Sequence, residues 1–210
     1  MMYTSRRAIG NVGLGLVVGA VFLVACSPRG GQGNDAASVW SKLQLLGSEI
    51  EHYEDLASMF ASADVVVWAT IAGVEEGRVF GGEEEGTAEY LALTLDVKEE
   101  FLDRVGDDTF LLELLMPDPS AVAALEAGLR GQEGVFFLRN KGLEAAGVGL
   151  PKEVQDTESQ FYRFVNSQGF FLNQAGTVVA PLVGEEPSDF TQGLEGLPFQ
   201  DLLGRVRAMS

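Results

Sequence analysis

Residues 90–98 have a large aliphatic side chain at every second position, and this pattern constrains the fold more than any other in the chain. Successive side chains of a β-strand point to opposite faces, so a period of two is typical of a strand with one buried face. The apolar face is Leu91, Leu93, Leu95 and Val97, and the other face includes Tyr90, Thr94, Asp96 and Lys98. The pattern therefore predicts a sheet that packs one side against a core.

Other segments have the β-branched and aromatic composition of strands. They are residues 65–71, 110–116, 135–138, 161–165, 170–172 and 177–182. Polar turns at residues 166–169 and 173–176 separate the last three. Because sequential strands joined by hairpin turns favour antiparallel pairing, we predict a mainly β fold. The expected architecture is a small antiparallel β-barrel or sheet with a helix before it and a helix after it.

Helical patterns flank these strands. Ser48 and Glu51 have the spacing of a capping box and precede an apolar stripe, so a helix is predicted over residues 48–62. A second stripe predicts a C-terminal helix from Phe199 onward. Shorter helices are predicted at residues 39–46 and 121–129, and the polar segment 141–159 is predicted to be a loop. The two stripes are Tyr53, Leu56, Ala57 and Phe60, and Phe199, Leu202, Leu203 and Val206.

Between residues 60 and 138, a helix ends at residues 62–64, strands follow at 65–71, 90–99 and 110–116, and a loop at 125–134 leads to a strand at 135–138. This order of elements resembles that of the netrin-module and metalloproteinase-inhibitor families. The resemblance implies an OB-type five-stranded barrel. The N-terminal cysteine pair and the disulfides of the animal members are absent here, so their inhibitory mechanism is not implied.

The first 26 residues have the pattern of an export signal. Two arginines at residues 6–7 precede an uncharged apolar run and a small residue at position 25. The segment Leu23-Val24-Ala25-Cys26 resembles the lipobox of bacterial lipoproteins in residue type, spacing and position. This resemblance implies that a diacylglyceryl group is attached to the Cys26 sulfur and that cleavage leaves Cys26 as the new N-terminus.

The chain is therefore predicted to have three parts. Residues 1–25 are a signal peptide, residues 26–38 are a flexible lipid-anchored tether, and residues 39–210 are a single β-rich domain. We expect a position at the cell membrane, on its extracytoplasmic side. An uncleaved membrane anchor is the alternative, which the glycines of the apolar run weaken. Residues 5–9 match a twin-arginine signal in part, so that route and general secretion both stay open.

Charge and composition exclude several classes of partner and site. The chain has 31 acidic and 14 basic residues, and removal of the two signal arginines leaves 12 bases and a net charge of −19. Nucleic acid is not an expected partner, because phosphate binding requires a basic face. The single cysteine excludes an internal disulfide and a multi-cysteine zinc site, and the single histidine excludes a multi-histidine metal site.

No catalytic constellation emerges from the sequence, so no enzymatic activity, cofactor or metal ligand is predicted. His52 is expected at the surface of its helix, and no Gly-x-Ser-x-Gly elbow occurs. Most acidic pairs fall in polar loops, and Glu113 is the acid inside a strand whose facing is undecided. The run Glu83-Glu84-Glu85 is the candidate for calcium, but it lacks the spacing of a calcium loop.

Aromatic residues concentrate between residues 161 and 171, and most are expected in the core. Tyr162 and Arg163 are the candidates for an outward-facing partner surface in this segment. We predict a non-catalytic binding module of the cell envelope, held at the membrane by lipid on Cys26, with an envelope protein, a peptide or a glycan as its partner. An envelope hydrolase that uses loop carboxylates and a calcium-binding surface protein are the alternatives.

Overall fold

The computed structural model describes residues 39, 40, 43, 51–82, 86–106, 109–116, 122–183 and 189–210. The predicted signal peptide, Cys26 and the tether lie outside the described residues, as do most of the 39–46 helix and the start of the 48–62 helix. Among the helices of the described segments, none has both the length and the hydropathy needed to cross a membrane.

The described segments contain seven strands and six helices. The strands are β1 (Val65–Gly82), β2 (Gly86–Asp103), β3 (Phe110–Leu115), β4 (Glu133–Asn140), β5 (Phe161–Phe164), β6 (Phe170–Gln174) and β7 (Thr177–Val179). The helices are α1 (Leu56–Ser62), α2 (Val122–Leu129), α3 (Lys141–Gly147), α4 (Lys152–Glu158), α5 (Asp189–Gln192) and α6 (Phe199–Arg207). The prediction of a mainly β domain with flanking helices is confirmed.

Five strands pair in a ring, in the order β1, β2, β3, β5, β4 and back to β1. All pairings in the ring are antiparallel except that of β3 with β5, which is parallel. β6 pairs with β4, and β7 pairs with β6. The predicted antiparallel arrangement is correct for every pairing but one, while the resemblance to the OB-type barrel stays a prediction.

Alternate residues of the ring strands form one apolar core. Leu91, Leu93 and Leu95 of β2 are all buried in it, as the alternation predicts. Trp40, which precedes the sheet by more than twenty residues, is fully buried in the same core. The domain therefore recruits part of its N-terminal segment to complete the interior of the ring.

The opposite face of β4 forms a second core beneath α1 and α6. Val135 and Phe137 alternate with the residues of the first core and belong to a cluster that includes Met59 of α1. β4 is therefore buried on both faces, which explains its continuous apolar run. The predicted C-terminal stripe is confirmed, since Phe199, Leu202, Leu203 and Val206 are all buried in this second core.

The helix predicted over residues 48–62 is shorter than expected, because its N-cap is Asp55. The Asp55 carboxylate accepts a hydrogen bond from the Ser58 backbone N–H at 2.7 Å. Upstream, the Tyr53 backbone N–H donates to Gln168 Oε1 at 3.0 Å, and Gln168 Nε2 donates to the Tyr53 carbonyl at 3.4 Å. The Gln168 amide therefore forms hydrogen bonds with both backbone groups of Tyr53. Neither group is free for a helical hydrogen bond, and α1 begins only after Asp55.

The segment 141–159 was predicted to be a loop, and this prediction is wrong, because α3 and α4 occupy it. Gly149 ends α3 with a φ of 76°, a conformation that favours glycine. Its N–H donates to the Ala146 carbonyl at 3.0 Å, and the Leu150 N–H donates to the Ala145 carbonyl at 3.0 Å. This Schellman turn fixes the path from α3 into α4.

α4 rests on α3 rather than on either core, and none of its side chains is buried. The two helices approach closely at Gly142, where a Cβ atom would lie 2.6 Å from the Ser159 Cα and 2.7 Å from the Gln155 carbonyl oxygen. The Asn140 side chain also donates to the Ser159 carbonyl at 2.8 Å. Contacts with α3 therefore hold α4 in place, and polar side chains connect α4 to the sheet.

The hairpin of β1 and β2 is much longer than predicted, at 18 residues for each strand. β4 pairs with β1 only as far as Thr70, so the second half of β1 pairs with β2 alone. The register shifts between Glu76 and Val79, which marks a bulge at Gly77 and Arg78. Gly77 is required there because a Cβ atom would lie 2.8 Å from the Tyr90 carbonyl oxygen.

Candidate functional site

Glu113 is the only buried acid among the described residues, with 3% of its surface exposed. Its neighbours Leu112 and Leu114 belong to the core of the ring, so the Glu113 side chain points to the outer face. Burial of a carboxylate costs free energy unless cations and hydrogen-bond donors surround it. Glu113 and the groups that contact it therefore form the candidate functional site.

Two cations converge on this carboxylate. Arg78 Nε donates to Glu113 Oε1 at 2.7 Å, and Arg78 Nη2 donates to Oε2 at 2.5 Å. Lys141 Nζ donates to the same Oε2 at 2.7 Å. The bulge in β1 supplies Arg78, and the first residue of α3 supplies Lys141. The carboxylate thus joins the long hairpin, β3 and α3.

Arg78 also holds a second carboxylate. Its Nη1 donates to Glu158 Oε1 at 2.6 Å, and its Nη2 donates to Glu158 Oε2 at 3.0 Å. The guanidinium carbon lies 3.8 Å from the ring centroid of Phe161 and 4.8 Å from that of Phe80. Arg78 therefore presents a planar fork over two aromatic rings, which is the arrangement that recognises carboxylates in two-point contact.

The two carboxylates differ in exposure. The Glu113 side chain is fully buried, whereas 20% of the Glu158 side chain and 22% of the Arg78 side chain reach solvent. Glu158 stands at the end of α4, which buries no side chain. Glu113 is thus an integral part of the sheet, while Glu158 is a peripheral occupant of the same guanidinium.

The electrostatic balance keeps Glu113 ionised. Burial on its own raises the pKa of the Glu113 carboxyl, but hydrogen bonds from Arg78 and Lys141 outweigh it and hold the pKa below its ordinary value. The hydrogen bonds that Arg78 donates to Glu113 and Glu158 raise the pKa of Arg78 despite its partial burial. Because Glu113 is charged and already accepts three donors, the cluster is suited to positioning and to carboxylate recognition.

The Glu113 pairing makes a specific contribution to stability in acid. A carboxyl whose pKa is lowered by folding stabilises the protein fully above its ordinary pKa, and the stabilisation is lost as pH falls through the folded pKa. We expect the urea midpoint of the wild type to fall as pH is lowered from about 6 to about 3, and that of Glu113→Gln to fall less.

Glu153→Gln is the matched control for this comparison, because Glu153 is exposed on α4. Its variant should keep the pH dependence of the wild type. A residual dependence is expected in Glu113→Gln, because folding also lowers the pKa values of Glu51 and Glu133. An equally steep loss in Glu113→Gln and the wild type would contradict this role.

A second polar cluster joins the extended segment before α1 to β4. Arg139 Nη1 donates to Glu51 Oε1 at 3.0 Å, and Arg139 Nη2 donates to the Tyr53 hydroxyl at 3.1 Å. The Tyr53 hydroxyl donates to Glu51 Oε2 at 2.8 Å. The hydrogen bond from Arg139 is the main reason that the pKa of Glu51 is lowered, whereas burial raises that of Tyr53. Glu51 therefore serves this cluster, and it does not cap a helix.

The predicted partner surface at Tyr162 and Arg163 needs correction. Tyr162 is fully buried in the core of the ring, where its ring centroid lies 5.2 Å from that of Phe110, so it forms no outer surface. Arg163 faces outward, and its Nε donates to Glu144 Oε2 at 2.9 Å. Strand alternation decides both placements, because Tyr162 and Phe164 share the inner face of β5.

The remaining sequence candidates are either exposed without a partner site or outside the described residues. His52 is exposed, and it lies in the extended segment instead of a helix. Glu83-Glu84-Glu85 and Cys26 lie outside the described residues. Within the part of the chain that the structure covers, no group of three His, Cys, Asp or Glu side chains is arranged to hold a metal ion.

Sequence reasoning identified Glu113 but missed its partners. Arg78 precedes it by 35 residues and Lys141 follows it by 28. Glu158 lies 80 residues from Arg78. An acid within an apolar strand signals a buried carboxylate that requires cations, but its local pattern does not identify them.

A comparison of the chain with known protein families, characterised proteins and solved structures finds no match.

Proposed function

We propose that the chain is an extracytoplasmic lipoprotein whose β-rich domain acts as a non-catalytic binding module of the cell envelope. The anchor is proposed from Leu23-Val24-Ala25-Cys26, with lipid on Cys26. Two or more acyl chains make a stable anchor, whereas a single chain gives marginal, reversible binding. The partner is an envelope protein or peptide that meets the domain close to the bilayer.

One observation supports the binding role more than any other. The large apolar side chains that are exposed in the described segments come from only two places, the free half of β1 and the α3–α4 pair. They are Val79, Phe80, Leu143, Val148, Leu150 and Val154. Val148 is 76% exposed although the Schellman turn holds it in a fixed position.

The two places are neighbours on the surface. Arg78 directly precedes Val79 and Phe80, and it is paired with Glu158, one helical turn after Val154. Exposed apolar side chains on fixed elements favour burial against a partner, because their removal from water is favourable and they lose little conformational freedom on binding. We refer to these six side chains as the apolar face.

The test is crosslinking in intact membranes, with a photoreactive amino acid in place of Val148. We expect a defined adduct from the protein with a native Cys26, and loss of that adduct from the Cys26→Ala form, which should move to the soluble fraction. The measurement is mass spectrometry of the adduct, together with the distribution of the protein between membrane and soluble fractions.

Two controls keep the parts of the proposal separate. Ser27→Ala alters the neighbouring residue without removing the acylated sulfur, so it should leave the protein in the membrane fraction. The same photoreactive residue at Arg130, which is exposed and pairs with Glu126 of α2 and not with a residue of the apolar face, should give no such adduct. Retention of Cys26→Ala in membranes would refute the anchor, and equal adducts from positions 148 and 130 would refute the binding face.

A further inference from the structure

Arg78 forms two carboxylate sites on one guanidinium, and the two sites have different roles. The site made by Nε and Nη2 holds Glu113, which is fully buried and shared with Lys141. The site made by Nη1 and Nη2 holds Glu158, which is partly exposed. Only the second site opens to solvent when its occupant leaves.

The structure around the second site has the parts of a carboxylate subsite. The guanidinium is fixed from one side by Glu113 and lies over the Phe161 ring. Phe80 forms an aromatic wall and is 43% exposed, so it offers an apolar surface beside the charged fork. A guanidinium already held in place loses little freedom when it binds, which favours two-point recognition of a carboxylate.

The present occupant is held by two hydrogen bonds to Arg78 and not by burial of its helix. α4 buries no side chain, and its N-cap, Pro151, provides no side-chain hydrogen bond. α4 can therefore move without opening either apolar core. By contrast, loss of Glu113 from Arg78 would leave a fully buried carboxylate with Lys141 as its remaining cation.

We propose that the Nη1–Nη2 edge of Arg78 is a binding site for the C-terminal carboxylate of a peptide with an apolar last residue, and that Glu158 occupies this site as an internal competitor. The inference rests on the proposed binding function and names its ligand class. The peptide carboxylate replaces Glu158 on the guanidinium, and its last side chain packs on Phe80. Displacement releases the end of α4.

A competitor in the same chain lowers the apparent affinity by the fraction of time for which the site is free. If Glu158 occupies Arg78 for at least about nine tenths of the time, its removal tightens binding by at least about tenfold. The probe is the peptide acetyl-Ala-Ala-Phe with a free carboxylate, compared with the same peptide carrying a C-terminal amide. Titration calorimetry on the full chain purified in detergent measures the dissociation constants.

We expect Glu158→Ala to bind the free-acid peptide at least about tenfold more tightly than the wild type, and the amide peptide not measurably. Glu153→Ala removes the same charge from the same helix without touching Arg78, so it should match the wild type. Hydrogen exchange gives an independent readout, because the free-acid peptide should accelerate exchange of the Lys152–Glu158 amides in the wild type.

Equal affinities in the wild type and Glu158→Ala would overturn the competitor role, and equal binding of acid and amide peptides would overturn the carboxylate site. Tighter binding in Glu153→Ala as well would mean that net charge, not Arg78, governs the effect. If the free-acid peptide does not bind specifically but position 148 gives a specific adduct, the binding module is supported and this ligand class is refuted. Specific peptide binding without a specific adduct from position 148 would support the carboxylate site on Arg78 and refute the binding face at Val148.

Discussion

Replacement of Arg78 by Met should lower the free energy of unfolding by about 3–5 kcal/mol, because it removes one partner of a buried ion pair. The Glu113 carboxylate has no exposed surface and would keep Lys141 as its only cation. The variant also loses both hydrogen bonds to Glu158 and the stacking on Phe161. The penalty comes chiefly from the charge that stays buried.

Urea unfolding followed by circular dichroism measures this loss. Arg130→Met is the matched control, because the Arg130 side chain is 63% exposed and its Nη1 lies 3.4 Å from Glu126 Oε1 in an i,i+4 pair. We expect it to change the free energy of unfolding by less than about 0.5 kcal/mol, as is usual for surface pairs. Equal effects at positions 78 and 130 would show that the cluster contributes no more than a surface ion pair.

The double variant Arg78→Met with Glu113→Met separates the pair from its packing. Replacing both charges removes the buried unpaired carboxylate, so the double variant should be more stable than Arg78→Met alone. If the double variant were less stable than the single one by the full cost of Glu113→Met, the two residues would not be coupled. The coupling measured in this way reports how firmly the hairpin is fixed to β3.

The sequence predicts elements well where their period is strong. The alternation around Leu93 and the stripe around Leu202 each fix a face, and both faces are buried as expected. The period of two does not reveal strand order, so the parallel pairing of β3 with β5 could not be predicted from it. The burial of Tyr162 follows from the facing of β5 in the ring, since Tyr162 and Phe164 lie on the face that points into the core.

The wrong predictions share one physical cause. Segment 141–159 is polar because α4 packs on α3 through backbone and small residues such as Gly142, which leaves no apolar stripe to detect. Ser48 and Glu51 match a capping box, but the Glu51 carboxylate accepts a hydrogen bond from Arg139, and the Tyr53 backbone N–H donates to Gln168. Both partners lie far away along the chain. In both cases, contacts beyond one helical turn decide the structure, and the local periodicity does not record them.

Trp40→Ala should be the most destabilising change outside the sheet, at about 3–5 kcal/mol, because truncation of a fully buried large aromatic leaves a cavity. The Trp40 ring centroid lies 4.6 Å from that of Phe170 and 6.4 Å from that of Phe164. Its Nε1 also donates to Gln132 Oε1 at 2.6 Å, so the variant loses a hydrogen bond as well.

Phe80→Ala is the control for Trp40→Ala, since Phe80 is an aromatic residue with a large exposed surface. We expect it to cost less than about 1 kcal/mol in the same urea measurement. A Trp40→Ala variant as stable as Phe80→Ala would mean that the domain does not need Trp40. A large loss would mean that the packed domain begins no later than Trp40.

The chain between the proposed lipid on Cys26 and the domain would then be residues 27–38, and a flexible chain of that length has a root-mean-square reach of roughly 20 Å. In the proposed lipid-anchored protein, this length limits how far the apolar face and Arg78 can lie from the bilayer.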